Sequence, residues 1–192
     1  MITLPIEIYS DGSSIKNPGP SAFAYIIKYF DTKDDSSAPE AHEIESSQGF
    51  RLSTNNRMEI MGGVRGLQNA IQLIESGTLY GAKQINLFSD SEYFCNAINQ
   101  KWIDKWLQNK WMTSGFKGAA PKPVKNQDLW EQVIEVRSRL QNLGVNLSVA
   151  HVKGHADNEY NNKCDELARK TSSSNPQDID EEYERSLNTR NR

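Results

Sequence analysis

Two aspartates stand where apolar runs stop. Asp11 follows the alternating Leu4, Ile6 and Ile8, and Asp90 follows Ile85, Leu87 and Phe88. Both are therefore expected at strand ends, where open α/β sheets gather their ligands. A carboxylate placed there can hold a hard cation or carry a proton. Each also has an ordinary role, since Asp11 before Gly12 suits an Asx turn and Asp90 before Ser91 suits a helix cap. Glu59, early in an amphipathic stretch, favours a helix dipole, and Asp165 beside Glu166 reads as a solvated helical charge. Taken singly, the four acids support no reaction. His151, His155 and Cys164 raise the question of zinc, but a strand-to-loop histidine pair with one distant cysteine lacks a fourth ligand at recognised spacing.

The elements that must position these residues follow from periodicity. The first alternating run predicts a strand, Asn17-Pro-Gly-Pro20 a turn, and the apolar stretch Ala22 to Tyr29 a second strand completing a hairpin. Residues 31–43 are acidic and polar and predict an extended loop before a third strand within Ile44 to Leu52. Ile60, Val64, Leu67, Ile71 and Ile74 step by 4, 3, 4 and 3, the stripe of an amphipathic helix opening near Asn55-Asn56 and ending at Gly77. A short strand then runs into Ser89-Asp-Ser91, with a helical segment after it. Leu129, Val133, Val136, Leu140 and Leu143 repeat the stripe, Gly144 caps it, and Val145, Leu147 and Val149 alternate as a last strand. A final helix is expected from about Asn158 to Lys170, and a flexible polar tail over 171–192. This order predicts an α/β fold, one mixed sheet covered by helices.

Composition bounds the function. A chain of 192 residues, 36% hydrophobic, supports one domain, placed at 1–170. No basic-then-apolar leader and no run of ~18 apolar residues is present, so a soluble, cytoplasmic protein is expected. Cys95 and Cys164 fall in periodic segments and read as buried, reduced thiols. The net charge of −3 argues against a protein that coats nucleic acid, but charge is unevenly distributed. Residues 99–125 hold six lysines against Asp104 alone, whereas 31–49 hold six acids against Lys33.

Seven segments occur in order: Asp11-Gly-Ser13, Asn17-Pro-Gly-Pro20, Asn55-Asn-Arg-Met-Glu59, Ser89-Asp-Ser91, Lys122-Pro-Val-Lys-Asn126 with Asp128-Leu-Trp130, His151-Val-Lys-Gly-His155 and Cys164-Asp-Glu-Leu-Ala168. Together they resemble type 1 ribonuclease H across residues 4–170. The resemblance implies the ribonuclease H-like fold, with a five-stranded mixed sheet flanked by helices. It implies an endonuclease that hydrolyses the RNA strand of RNA–DNA hybrids, leaving 5′-phosphate and 3′-hydroxyl ends. Asp11, Glu59, Asp90 and Asp165 match the family's metal-binding acids, and His155 its mobile catalytic histidine. Four gathered carboxylates repel unless divalent cations neutralise them, and hard oxygen donors suit Mg²⁺ or Mn²⁺. Two ions roughly 4 Å apart would orient the attacking water and stabilise the leaving 3′-oxygen.

By the same resemblance Ser13, Ser14, Asn17, Thr54, Asn55 and Asn56 contact the hybrid, where small polar side chains can sense 2′-hydroxyls. Residues 99–125 match a basic protrusion, in which Lys105, Lys110 and Lys125 meet phosphates. Trp102 and Trp106, one helical turn apart, are expected to build it, and Trp111 to face substrate. Nothing demands more than a monomer. Two departures stand out. Glu92 replaces a neutral amide common near the substrate in relatives. Gly62, Gly63 and Gly66 replace alanines on the helix bearing Glu59, at roughly 1 kcal/mol each, which predicts a locally loosened helix that alanine would stabilise.

Overall fold

In the computed structural model, residues 4–31, 39–114, 120–153 and 158–190 are described. His155, Lys117 and most of the acidic segment 31–43 lie outside them. Five strands, β1 (Ile6–Ser14), β2 (Gly19–Asp31), β3 (Glu40–Ser53), β4 (Gln84–Ser89) and β5 (Asn146–His151), form one sheet in the order β3-β2-β1-β4-β5. The β1/β2 and β2/β3 pairs are antiparallel, and the β1/β4 and β4/β5 pairs are parallel. Helix α1 (Asn55–Glu75) crosses from β3 to β4. Helices α2 (Glu92–Asn99), α3 (Trp102–Gln108) and α4 (Gln127–Asn142) lie between β4 and β5, and α5 (Glu159–Ser173) and α6 (Glu181–Arg190) follow.

The period-two alternation of β1 and β2 divides their side chains between two cores. Ile6, Ile8, Phe23, Tyr25 and Ile27 join α1, α2 and α4 in the larger core, and Tyr9, Ala24 and Ile26 join Cys164 and Ala168 of α5 in the smaller. Trp130, fully buried, packs against Tyr93, Phe94 and Trp106, and its indole nitrogen donates to the Lys125 carbonyl at 3.1 Å. Trp102 packs against Trp106 with ring centroids 6.2 Å apart. These two tryptophans therefore anchor the lysine-rich segment, as expected.

Three expectations are corrected. Strand β1 does not end at Asp11 but continues to Ser14, because β2 goes on pairing with it as far as Ser14 opposite Ser21. Strand β3 begins at Glu40, inside the segment read as loop, because β2 extends to Asp31 and offers it a partner. The chain after Thr171 is not a flexible tail in its described part. Helix α5 runs to Ser173, the Asp178 carbonyl accepts from the Arg51 amide at 2.9 Å, and Asp180 is buried ahead of α6. Ions and hydrogen bonds fasten this segment, so no apolar periodicity announced it.

Candidate active site

The site forms where the central parallel pair stops. Pairing between β1 and β4 runs through Ser10 opposite Ser89, so Asp11 and Asp90 are the next residues on adjacent strands. Gly12 lets α1 approach this point, since a Cβ there would lie 2.5 Å from the Glu59 amide nitrogen and 2.7 Å from the Met58 carbonyl carbon. A side chain at position 12 would thus push Glu59 away from Asp11. Helix α5 packs on β1 and β2 and brings Asp165 to the same end.

The electrostatics reflect this crowding. Burial and the neighbouring Asp90, with Asp165 and Glu59 adding less, push the Asp11 carboxyl up to about 8, although its Oδ1 accepts from the Gly12 amide. Burial also raises Glu59, opposed by a hydrogen bond from Ser91. Both Glu59 oxygens have donors, Asn55 Nδ2 at 2.6 Å and the Ser91 hydroxyl. Asp165 pairs with Arg169 at 2.9 Å. Among the described residues no three acidic, histidine or cysteine side chains close into a ready ligand shell. The donor set, all carboxylate oxygens around an Asp11 burdened by like charge, fits a hard divalent cation.

The ordinary roles weighed for these acids fall partly to other residues. Ser91, not Asp90, caps α2 by accepting from the Phe94 amide at 3.3 Å. Thr54 caps α1, which leaves the Asn55 side chain to Glu59. Cys95 donates its thiol proton to the Ser89 carbonyl and Cys164 to the Tyr9 carbonyl, so each buried sulfur supports a strand that carries a site aspartate. Glu92 is exposed in the first turn of α2, where its charge favours the helix dipole.

Between the first turn of α1 and the start of α4 runs a groove of about 900 Å³ that includes Asn17, Thr54, Asn56 and Lys125 in its lining. Asn17 Oδ1 accepts from the Asn55 amide at 3.1 Å, joining the β1/β2 turn to the start of α1. Ser13 and Ser14 extend β1 past Asp11, hydrogen-bonded to Ser172 and Ser21. Lys105 and Lys110 are exposed in and just after α3, away from this lining, and Trp111 shares a separate hollow with Leu107 and Ile134. Sequence reasoning assigned no role to Gly12, Ser91, Arg57 or Asp128, although all four lie within or beside the quoted motifs. For Asp180 no signal existed.

The RNase H family model matches residues 4–173. The ribonuclease H of Caldanaerobacter subterraneus subsp. tengcongensis is 39% identical over 163 residues, covering 85% of this chain and 88% of its own. That of Edwardsiella ictaluri is 38% identical over 173 residues, covering 90% and 93%. Among solved structures, LC9-RNase H1, a type 1 enzyme, superposes with a TM-score of 0.64 at 21% identity, covering 92% of this chain and 76% of its own. LC11-RNase H1 in complex with an RNA/DNA hybrid superposes at 0.56 and 22% identity, covering 88% and 96%. The structural likenesses establish the fold. The family match and the sequence relatives go further: this chain belongs to the RNase H family, the endoribonucleases that cut the RNA strand of RNA–DNA hybrids.

Proposed function

We propose that Asp11, Glu59, Asp90 and Asp165 are the residues that carry out this hydrolysis, holding two Mg²⁺ ions, with Mn²⁺ as a substitute. The observation that carries the assignment is geometric: Asp11 is buried where the parallel β1/β4 pair stops, level with Asp90, and the close approach of α1 at Gly12 brings Glu59 to the same point. When bound, the ions supply Lewis-acid activation of water and stabilisation of the departing 3′-oxygen. The carboxylates fix where the scissile phosphate meets that chemistry. Asn55 and Ser91 orient Glu59 from either side. Gly12 keeps the first turns of α1 against β1.

Asn17, Thr54 and Asn56 face the groove and are suited to a sugar–phosphate backbone, with Ser13, Ser14 and Asn55 nearer the acids and Lys125 supplying positive charge. Lys105, Lys110 and Trp111 would meet the hybrid further along the protrusion, and His155 would assist proton transfer or product departure. We read residues 1–170 as the catalytic domain, with its basic protrusion at 99–125. The protein acts as a monomer. No helix among the described residues is long and apolar enough to cross a membrane. The two buried thiols suit a reducing, cytoplasmic setting.

The test is cleavage of labelled RNA–DNA hybrid, double-stranded RNA and double-stranded DNA with Mg²⁺, with Mn²⁺ and with chelator. The expected result is metal-dependent cutting of hybrid RNA alone, leaving 5′-phosphate and 3′-hydroxyl ends. Asp11→Asn and Asp90→Asn should abolish turnover while the far-ultraviolet spectrum is unchanged. Substantial residual cleavage by either variant would remove that residue from the metal set.

A further inference from the structure

The family match ends at residue 173, yet the chain beyond it turns back to the groove. Asp180 is 4% exposed, and its Oδ2 accepts from the Ser53 hydroxyl at 2.6 Å and from Arg57 Nε at 2.7 Å. Those two donors bracket Thr54, Asn55 and Asn56. One carboxylate oxygen therefore staples both ends of the segment that supplies two residues of the groove and the donor to Glu59. Its Oδ1 accepts from Arg57 Nη2 at 2.8 Å and from the Tyr183 amide at 3.3 Å, which fastens the start of α6 to the same point.

Arg57 carries the connection across the groove. Its Nη1 and Nη2 reach Asp128 at 2.9 and 2.7 Å, a two-point contact with the first turn of α4, next to Lys125 and Asn126. With its side chain 5% exposed, Arg57 is fixed between the carboxylates of Asp128 and Asp180. Outside this network Arg51 makes a fork contact with Glu184 of α6 at 2.8 and 2.6 Å, and Glu182, Tyr183 and Ser186 form part of the groove wall.

We propose that residues 175–190 are a strap that positions the start of α1 against α4 and thereby sets the substrate groove, with Asp180 as its positioning residue. The proposal rests on reading this groove as the hybrid-binding site. Asp180 touches no reacting group. Asn55 keeps its own ties to Glu59 and Asn17, so the effect of Asp180 passes through Ser53 and Arg57 to Thr54 and Asn56 and should appear chiefly in KM, as expected of residues that bind the sugar–phosphate backbone away from the reacting atoms.

The experiment measures hybrid cleavage by the full chain carrying Asp180→Asn, well below its melting temperature, with Asp180→Glu as the conservative rescue. Expected are a rise in KM of roughly five- to tenfold with kcat within about twofold, and partial return of KM in the glutamate variant. A lower melting temperature with KM unchanged would overturn the proposal, because a merely stabilising contact would give that result. If Asp180→Asn does not fold, Ser53→Ala removes one hydrogen bond only. It must then raise KM by about twofold, and an unchanged KM would overturn the strap. Asn56→Ala and Thr54→Ala separate this from the reading beneath it. If they leave KM unchanged the groove is not the hybrid site, whereas if they raise it and the Asp180 and Ser53 variants do not, the strap alone fails.

Discussion

At the residue scale, Asp11, the buried member of the proposed metal set, should lower the stability of the fold at neutral and alkaline pH. Its carboxyl titrates near 3.8 when unperturbed and is pushed up to about 8 in the fold, chiefly by burial and by Asp90. The folded form therefore binds the proton more tightly than the unfolded chain. Stability conferred by this group is fully present below the unfolded value, falls as pH rises through the interval, and is lost above the folded value. Asp11→Asn removes this dependence. Without metal, its melting temperature should exceed that of the parent by several degrees above pH 8, roughly 2–8 °C for 1–2 kcal/mol, and the gap should close towards pH 4. Millimolar Mg²⁺ should narrow the gap by stabilising only the parent. Calorimetry across pH provides the check, and a gap independent of pH would refute the account.

At the element scale, the three glycines of α1 reverse the expectation drawn from helix propensity. The helix is unbroken from Asn55 to Glu75, and its glycines lie on the face packed against the sheet. A Cβ at Gly63 would sit 2.5 Å from the fully buried Phe94 ring, and one at Gly66 would sit 2.8 Å from Ile8 Cγ2. Gly62 is tight but tolerable, with carbonyl oxygens of Ala24 and Asp11 at 3.3 Å. Overpacking costs about 1–3 kcal/mol, more than the ~1 kcal/mol of propensity that alanine restores. Gly63→Ala should therefore melt earlier and Gly62→Ala near the parent; a rise in melting temperature for Gly63→Ala would restore the loosened-helix reading. Propensity is local, and the ring that forbids a methyl at position 63 is 31 residues away, so the sequence could not disclose it. The apolar stripe of α1, by contrast, was legible because each member repeats every three or four residues. So were Asp11 and Asp90 as the places where apolar runs stop. The extension of β1 through Gly12, Ser13 and Ser14 was not, since that polar run is strand only because β2 pairs with it.

At the scale of the whole molecule, the site draws on distant parts of the chain: adjacent parallel strands, the first turns of α1, the α5 helix and the segment that returns after residue 173. The order of motifs along the sequence made the acids legible as a set, but Asp180 was hidden because a charged, polar tail looks the same whether solvated or bound. Its burial depends on Arg57, whose other partner, Asp128, is 71 residues further along. The returning segment also bears on how copies of the protein behave towards each other. β3 is an edge of the sheet, and an uncovered edge invites backbone pairing with another molecule. Its first half carries Glu40, Glu43 and Glu45, which discourage such pairing by charge. Ser46 to Phe50 has no charge, and here the cover is physical: Thr171 bonds Ser47, Gln48 reaches Asp178, Pro176 sits over Gly49, and the Asp178 carbonyl takes the Arg51 amide. Loosening that cover with Arg51→Ala and Glu184→Ala should make the protein associate as its concentration rises, measurable by light scattering where the parent stays monodisperse. The stretch that shapes the groove thus also serves as a guard against aggregation.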